Sequence, residues 1–193
     1  MDLFPPVRTL IIEGELDPTG QDMLSPESMS QLRHLTIEKT NPDSDKAAKI
    51  VSSLSHAQHL QSFSLDLQGL QPMRILEILF TTKCELQSLK LKNLSTEMIG
   101  LAFFKELPSM LNLKELELNF QRLRDADIKR NKQNVIFSPG SCPSVEKLVM
   151  SFSASGKLTT ISDPLWIDLL RMFSGVKNLT ISCAGSSDQA TFW

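Results

Sequence analysis

Apolar positions along this chain fall into a short phrase that returns seven times: an apolar residue, two variable ones, an apolar residue, one variable, an apolar residue. It reads Val7-Arg8-Thr9-Leu10-Ile11-Ile12, Leu32-Arg33-His34-Leu35-Thr36-Ile37 and Leu60-Gln61-Ser62-Phe63-Ser64-Leu65. It continues from Leu86 to Leu91, Leu113 to Leu118, Val145 to Met150 and Val176 to Ile181. Successive copies start 25, 28, 26, 27, 32 and 31 residues apart. The last two apolar residues of each copy are separated by one, which is the period of a strand with one buried face. Self-similarity at this period predicts a stack of small units, none of which hides its own apolar face alone.

Between the strands the spacing changes to three and four, predicting helices. Asp43-Ser44 is positioned to cap one, with Ala47, Ile50, Val51, Leu54 and Ala57 inward. Pro72 opens a second, with Met73, Leu76, Leu79 and Phe80 on one face. Ser95 is read as the N-cap of a third through Met98, Ile99, Ala102 and Phe103, ended by Pro108. Asp163-Pro164 starts a fourth that carries Leu165, Trp166, Leu169, Leu170 and Phe173 and closes at Gly175. Ser25-Pro26-Glu27 has the same start signal before a shorter stretch.

The repeated phrase resembles the leucine-rich repeat superfamily, in its longer, helix-containing ribonuclease-inhibitor-like or F-box-type units. The resemblance spans residues 7–184, nearly all of the chain. It implies an α/β fold: a solenoid curved as a horseshoe, about seven strand–helix repeats, with a parallel β-sheet on the concave face. Residues 1–193 are then one domain. The chain departs from the family where an Asn or Cys follows the last apolar position by three; Glu15, Thr40, Gln68, Leu94, Gln121, Phe152-Ser153 and Ala184 stand there. Backbone groups in those turns must be paired in another way. Neither end supplies an evident capping unit, so the array is expected to be a fragment or partial array of a longer repeat protein.

Net charge is −2 and the isoelectric point about 5.9, without the basic excess of a nucleic-acid binder. The first six residues have no basic or apolar leader, and no apolar run approaches membrane-spanning length. Three widely spaced cysteines, Cys84, Cys142 and Cys183, argue against a disulfide framework and for cytoplasm, with the nucleus as the other reducing compartment.

Catalytic motifs are missing: no phosphate loop, no GxSxG elbow and no HExxH occur. His56 and His59, three apart on the expected helix, could share a face as ligands but have no Cys or acidic neighbour, so they are read as surface or half-buried histidines near the helix end. No metal or cofactor is expected. Cys142, in the turn-rich stretch Ser138 to Pro143, is the remaining candidate for chemistry, and no base or cation beside it would activate the thiol. The expectation is therefore a non-enzyme that binds a protein partner, not nucleic acid or a membrane, in the manner of a ubiquitin-ligase substrate receptor or an innate immune receptor. A small enzyme centred on Cys142 and a remnant without function are the alternatives.

A binding array would use the strand residues that alternate away from the core. These are Thr9, Ile11 and Glu13, then His34, Thr36 and Glu38, then Ser62, Ser64 and Asp66. Ser88, Lys90 and Lys92, then Glu115, Glu117 and Asn119, then Lys147, Val149 and Ser151, then Asn178, Thr180 and Ser182 complete three columns. Glu13, His34, Glu38, Asp66, Lys90, Lys92, Glu115, Glu117 and Lys147 are the charged or titratable members proposed to contact a partner. A merely polar, solvated strand face is the competing reading. A second contact candidate is the charge-dense stretch from Gln121 to Lys132, read as an extruded loop or a solvated helix.

Overall fold

Each repeated phrase becomes a strand because its alternating apolar pair has a core to face. The computed structural model describes residues 7–13, 25–38, 52–66, 72–82, 85–95, 104, 106–122, 138–152, 164–183 and 189–192. The chain forms two compact units, Met1–Leu89 and Lys90–Trp193, and the division falls inside one strand. In both units strand order is the order of the chain.

The first unit carries β1 (Thr9–Glu13), α1 (Pro26–Gln31), β2 (His34–Glu38), β3 (Ser62–Asp66), α2 (Pro72–Thr81) and the first two residues of β4 (Ser88–Ser95). β1, β2 and β3 are parallel, with Leu10 beside Leu35, Leu35 beside Phe63, and Ile12 beside Ile37. All of these are buried, and the phrase-leading Leu32, Leu60 and Leu86 are sealed beneath them. Met29 of α1, Leu79 of α2, and Leu54 and Ala57 complete the described core of this unit.

α1 begins as its sequence predicts: the Ser25 hydroxyl accepts the Ser28 N–H at 3.3 Å, and Pro26 takes a first-turn position where no N–H is needed. α2 likewise starts at Pro72. Of the helix expected after Asp43, residues 52–54 are helical; its earlier turns lie outside the described residues. His56 and His59 fall in the turns just after these helical residues and are both exposed, in keeping with surface histidines near a helix end. The N–H groups there close tight local bonds, His56 to Ser53 and Leu60 to Ala57, and the helical ladder stops.

The second unit carries the rest of β4, a 3₁₀ turn (Leu107–Ser109), β5 (Glu115–Arg122), β6 (Lys147–Phe152), α3 (Pro164–Arg171), β7 (Asn178–Cys183) and β8 (Gln189–Phe192). β5, β6 and β7 are parallel. Their inward rows are Leu116, Leu148 and Leu179, then Leu118, Met150 and Ile181, then Phe120 and Phe152. The third row is an added layer: the Phe120 and Phe152 rings stack at 5.0 Å and 9°. Ser95, expected to cap a helix, is the last residue of β4. Asn93, at φ 58°, lets the strand turn so that Leu94 is the buried residue; Asn tolerates that conformation better than most side chains. Residues 96–103 of the expected helix lie outside the described residues, as do 123–137 of the charge-dense stretch.

α3 starts at Pro164 as expected and ends at Arg171, four residues before Gly175. Gly175 is therefore not its C-terminal cap. It passes so close to the Pro143 carbonyl that a Cβ would collide with it. The end of α3 is capped instead by the loop before β6. Gly140 N–H donates to Arg171 C=O and Cys142 N–H to Met172 C=O, both at 2.8 Å, which satisfies carbonyls a helix end leaves open. Gly140 has φ 69°, a conformation that favours glycine.

One element is absent from the sequence reading. β8 pairs antiparallel with β7, Leu179 with Phe192 through Ser182 with Gln189, where no covering segment was expected.

A second periodic device is in the backbone. Arg8 C=O accepts the N–H groups of both Arg33 and His34, and Arg33 C=O those of Gln61 and Ser62. Gln61 C=O accepts those of Gln87 and Ser88, Lys114 C=O those of Glu146 and Lys147, and Glu146 C=O those of Lys177 and Asn178. The same phrase position thus fixes the entry of the next strand in both units.

Candidate interaction face

The strand faces that alternate away from the core form the columns the sequence predicts. In the first unit Thr9 is beside His34 and His34 beside Ser62; Ile11 is beside Thr36 and Thr36 beside Ser64; Glu13 is beside Glu38. In the second, Glu115, Lys147 and Asn178 align, then Glu117, Val149 and Thr180, then Asn119, Ser151 and Ser182.

The columns differ in what they leave to solvent. In the first unit Glu13 and His34 are exposed and Glu38 is half-buried. Ile11 is 60 % exposed and Val7 49 %, so the start of this face is apolar as well as charged. Asp66 and Ser64, expected to face outward, are buried at 8 %. β3 is covered on both faces from Phe63 onward, and Asp66 is engaged with neighbours there. Asp66 therefore leaves the set of accessible contact residues.

In the second unit the expected contact charges pair with each other. Lys90 Nζ lies 3.0 Å from Glu117 Oε2, and Lys147 Nζ 3.8 Å from Glu115 Oε1, each across one strand spacing. Asn119 Nδ2 donates to Ser151 Oγ at 2.9 Å. Lys92, half-buried, is also engaged. Such pairs are exposed and worth about 0.2–1 kcal/mol each. Their larger effect is to leave the face near neutral and laterally stitched.

Arg8 and Arg33 are functional candidates that the alternation did not select. Both are exposed, and the register that pairs Thr9 with His34 brings them side by side at the start of β1 and β2. The first unit thus exposes two arginines at the entry to β1 and β2, about 16 Å along the chain direction from Glu13 and Glu38 at the usual strand rise. The available signal was the second position of the phrase, which holds Arg8, Arg33, Gln61, Gln87, Lys114, Glu146 and Lys177: long and polar in every copy. In the second unit the equivalent Lys177 and Glu146 pair at 3.0 Å.

Cys142 is buried, and burial pushes its thiol above the ordinary value, opposed by a hydrogen bond with Ser141. Both the burial and the direction of the shift disfavour the thiolate a nucleophile needs. Cys84 and the side chain of Cys183 lie outside the described residues. No group of three or more His, Cys, Asp or Glu among the described residues is placed to hold a metal ion. No described helix is long and apolar enough to cross a membrane.

No family model matches the chain, and comparison with curated proteins and with solved structures found no match.

Proposed function

We propose that the protein is a non-catalytic protein-binding scaffold, a divergent leucine-rich repeat array acting in a reducing compartment, with the outward strand face of β1 and β2 as its principal contact surface. The reading is supported above all by one observation: Ile11, Glu13, His34 and Glu38 lie in strand register on one face, with Arg8 and Arg33 exposed just before their strands. An ordered surface with an acidic end and an exposed apolar centre, beside two exposed arginines at its entry, favours one orientation of a complementary protein segment. The paired charges of β4, β5 and β6 are assigned a structural part, so Lys90, Glu115, Glu117 and Lys147 move from the contact set to its surroundings. The enzyme reading centred on Cys142 has no observation in its favour.

Affinity capture from native extract tests the proposal. A bait carrying Arg33→Glu and Glu13→Lys is expected to recover partners about tenfold less than the unaltered chain, equivalent to about 1.4 kcal/mol. A bait with Lys147 and Glu115 exchanged for one another keeps its local pair and is expected to recover them unchanged. The same partner recovery from all three baits would remove β1 and β2 as the contact face.

A further inference from the structure

Two serines of this chain are followed by proline, Ser25 and Ser138, and their hydroxyls have different fates. The Ser25 hydroxyl is engaged at the start of α1: it accepts the Ser28 N–H at 3.3 Å and donates to the Ser28 hydroxyl at 3.1 Å. Ser138 is exposed, and its side chain has no hydrogen bond among the described residues. Other exposed serines fold their hydroxyls back onto their own turn: Ser30 onto Glu27 C=O, Ser55 onto Ser52 C=O and Ser109 onto Glu106 C=O. Ser138 engages its backbone alone, its C=O accepting the Ser141 N–H at 3.2 Å. Pro139 and Gly140 are the central residues of that turn, and Gly140 at φ 69° suits a type II turn. An ordered, exposed turn thus offers an unengaged hydroxyl with proline next to it.

The same turn closes α3. Gly140 N–H and Cys142 N–H donate to the carbonyls of Arg171 and Met172, at the negative end of the helix dipole. The Arg171 guanidinium is already paired with Asp168 at 3.0 Å.

We propose that Ser138 is a phosphorylation site for a proline-directed serine kinase, and that its phosphate releases the cap of α3. The Ser138 oxygen takes the γ-phosphoryl group of ATP. An O–P bond forms, the bond from the γ-phosphorus to the bridging oxygen breaks, ADP leaves, and the hydroxyl proton passes to the kinase's base. Phosphoserine carries about −1.5 to −2 charge at pH 7, here two residues before the first capping N–H. Negative charge at a helix C-terminus is repelled by the dipole, so the turn opens more often and the buried Cys142 thiol becomes reachable.

The test incubates the full chain with a purified proline-directed serine kinase and labelled ATP, then maps the peptides by mass spectrometry. Label is expected on Ser138 and not on Ser25. It should be lost in Ser138→Ala, which removes a hydroxyl without a partner and leaves the fold intact. At low salt the phosphorylated chain should react with iodoacetamide at Cys142 about two- to fivefold faster than the unmodified chain, the usual reach of a charge at a helix end. Ser138→Ala carried through the same treatment should react at the unmodified rate. No label on Ser138, or label divided equally with Ser25, would overturn the site. Label on Ser138 with Cys142 reacting no faster would overturn the release of the cap.

Discussion

The outward faces of β1–β2 and of β5–β6 come from the same repeated phrase and the same parallel register, yet they handle charge in opposite ways. Across β5 and β6 unlike charges meet: Lys147 with Glu115, and, from β4, Lys90 with Glu117. Across β1 and β2 like charges meet: Glu13 stands in register with Glu38. Cross-strand neighbours of opposite sign stabilise a sheet, and those of like sign oppose it. The first face therefore gives up stability that its second counterpart keeps. The same plan thus carries a like-charged neighbour pair on one face and opposite-charged pairs on the other.

Beneath those faces the units also differ in depth. The second has a third inward row, Phe120 beside Phe152, past the point where the five-residue β1 and β2 have stopped. The largest effect expected is there. Phe120→Ala should cost about 3–5 kcal/mol in urea unfolding, since it removes a fully buried ring and leaves a cavity. A double-mutant cycle with Phe152→Ala should give a coupling of about 0.5–1.5 kcal/mol for the stacked pair. If both units unfolded as a single cooperative block, Phe120→Ala would shift exchange protection at β2 as much as at β6. Loss confined to β6 would show that each unit holds its own stability.

Gly175→Ala should rank next. A methyl group at that position meets the backbone carbonyl of Pro143, which cannot rotate away as a side chain could. The loop at Pro143 and the segment after α3 must separate, at a cost of about 1–3 kcal/mol. Because the same loop caps α3 through Gly140 and Cys142, the damage should reach the helix end and expose the Cys142 thiol. Alkylation of Cys142 followed by peptide mass mapping reads that directly: slow in the unaltered protein, fast in the variant. An unchanged labelling rate would show that the loop holds to α3 without the close approach.

The strand framework was legible because the phrase joins two independent signals, a period of 25–32 residues between copies and a period of two within each. Those signals specify which residues are inward, and hence the lateral register, since parallel neighbours align apolar with apolar. They do not specify how many neighbours cover the other face. Asp66 and Ser64 alternate outward like Glu38 and Thr36, yet they are buried because β3 is covered where β1 is not. Nor does alternation see backbone reach. Gly175 carries the signature of a helix cap but serves a close approach from a loop more than thirty residues upstream. β8 announced itself only briefly: Gln189-Ala190-Thr191-Phe192 alternates polar and apolar over just four residues, without the leading apolar residue of the phrase. Ion pairing was within reach of the sequence: once the register is written down, Glu115 opposite Lys147 follows, and the two cease to be free contact charges.

The smallest effects give the sharpest test of the contrast between the faces, because they differ in sign. Breaking the second face by Glu117→Gln should destabilise the protein by about 0.2–1 kcal/mol, the usual worth of an exposed pair. Relieving the first by Glu13→Gln should stabilise it by about 0.2–0.5 kcal/mol, since it removes a like-charged cross-strand neighbour of Glu38. Both increments are electrostatic and should shrink toward zero in about 1 M salt, where the screening length falls to about 3 Å. Unfolding midpoints at low and high salt therefore yield four numbers with a fixed pattern: opposite signs at low salt, convergence at high salt. If Glu13→Gln were instead destabilising at low salt, Glu13 would be held by attraction rather than repelled by its neighbour Glu38, and the contrast in sign between the two faces would fall with it.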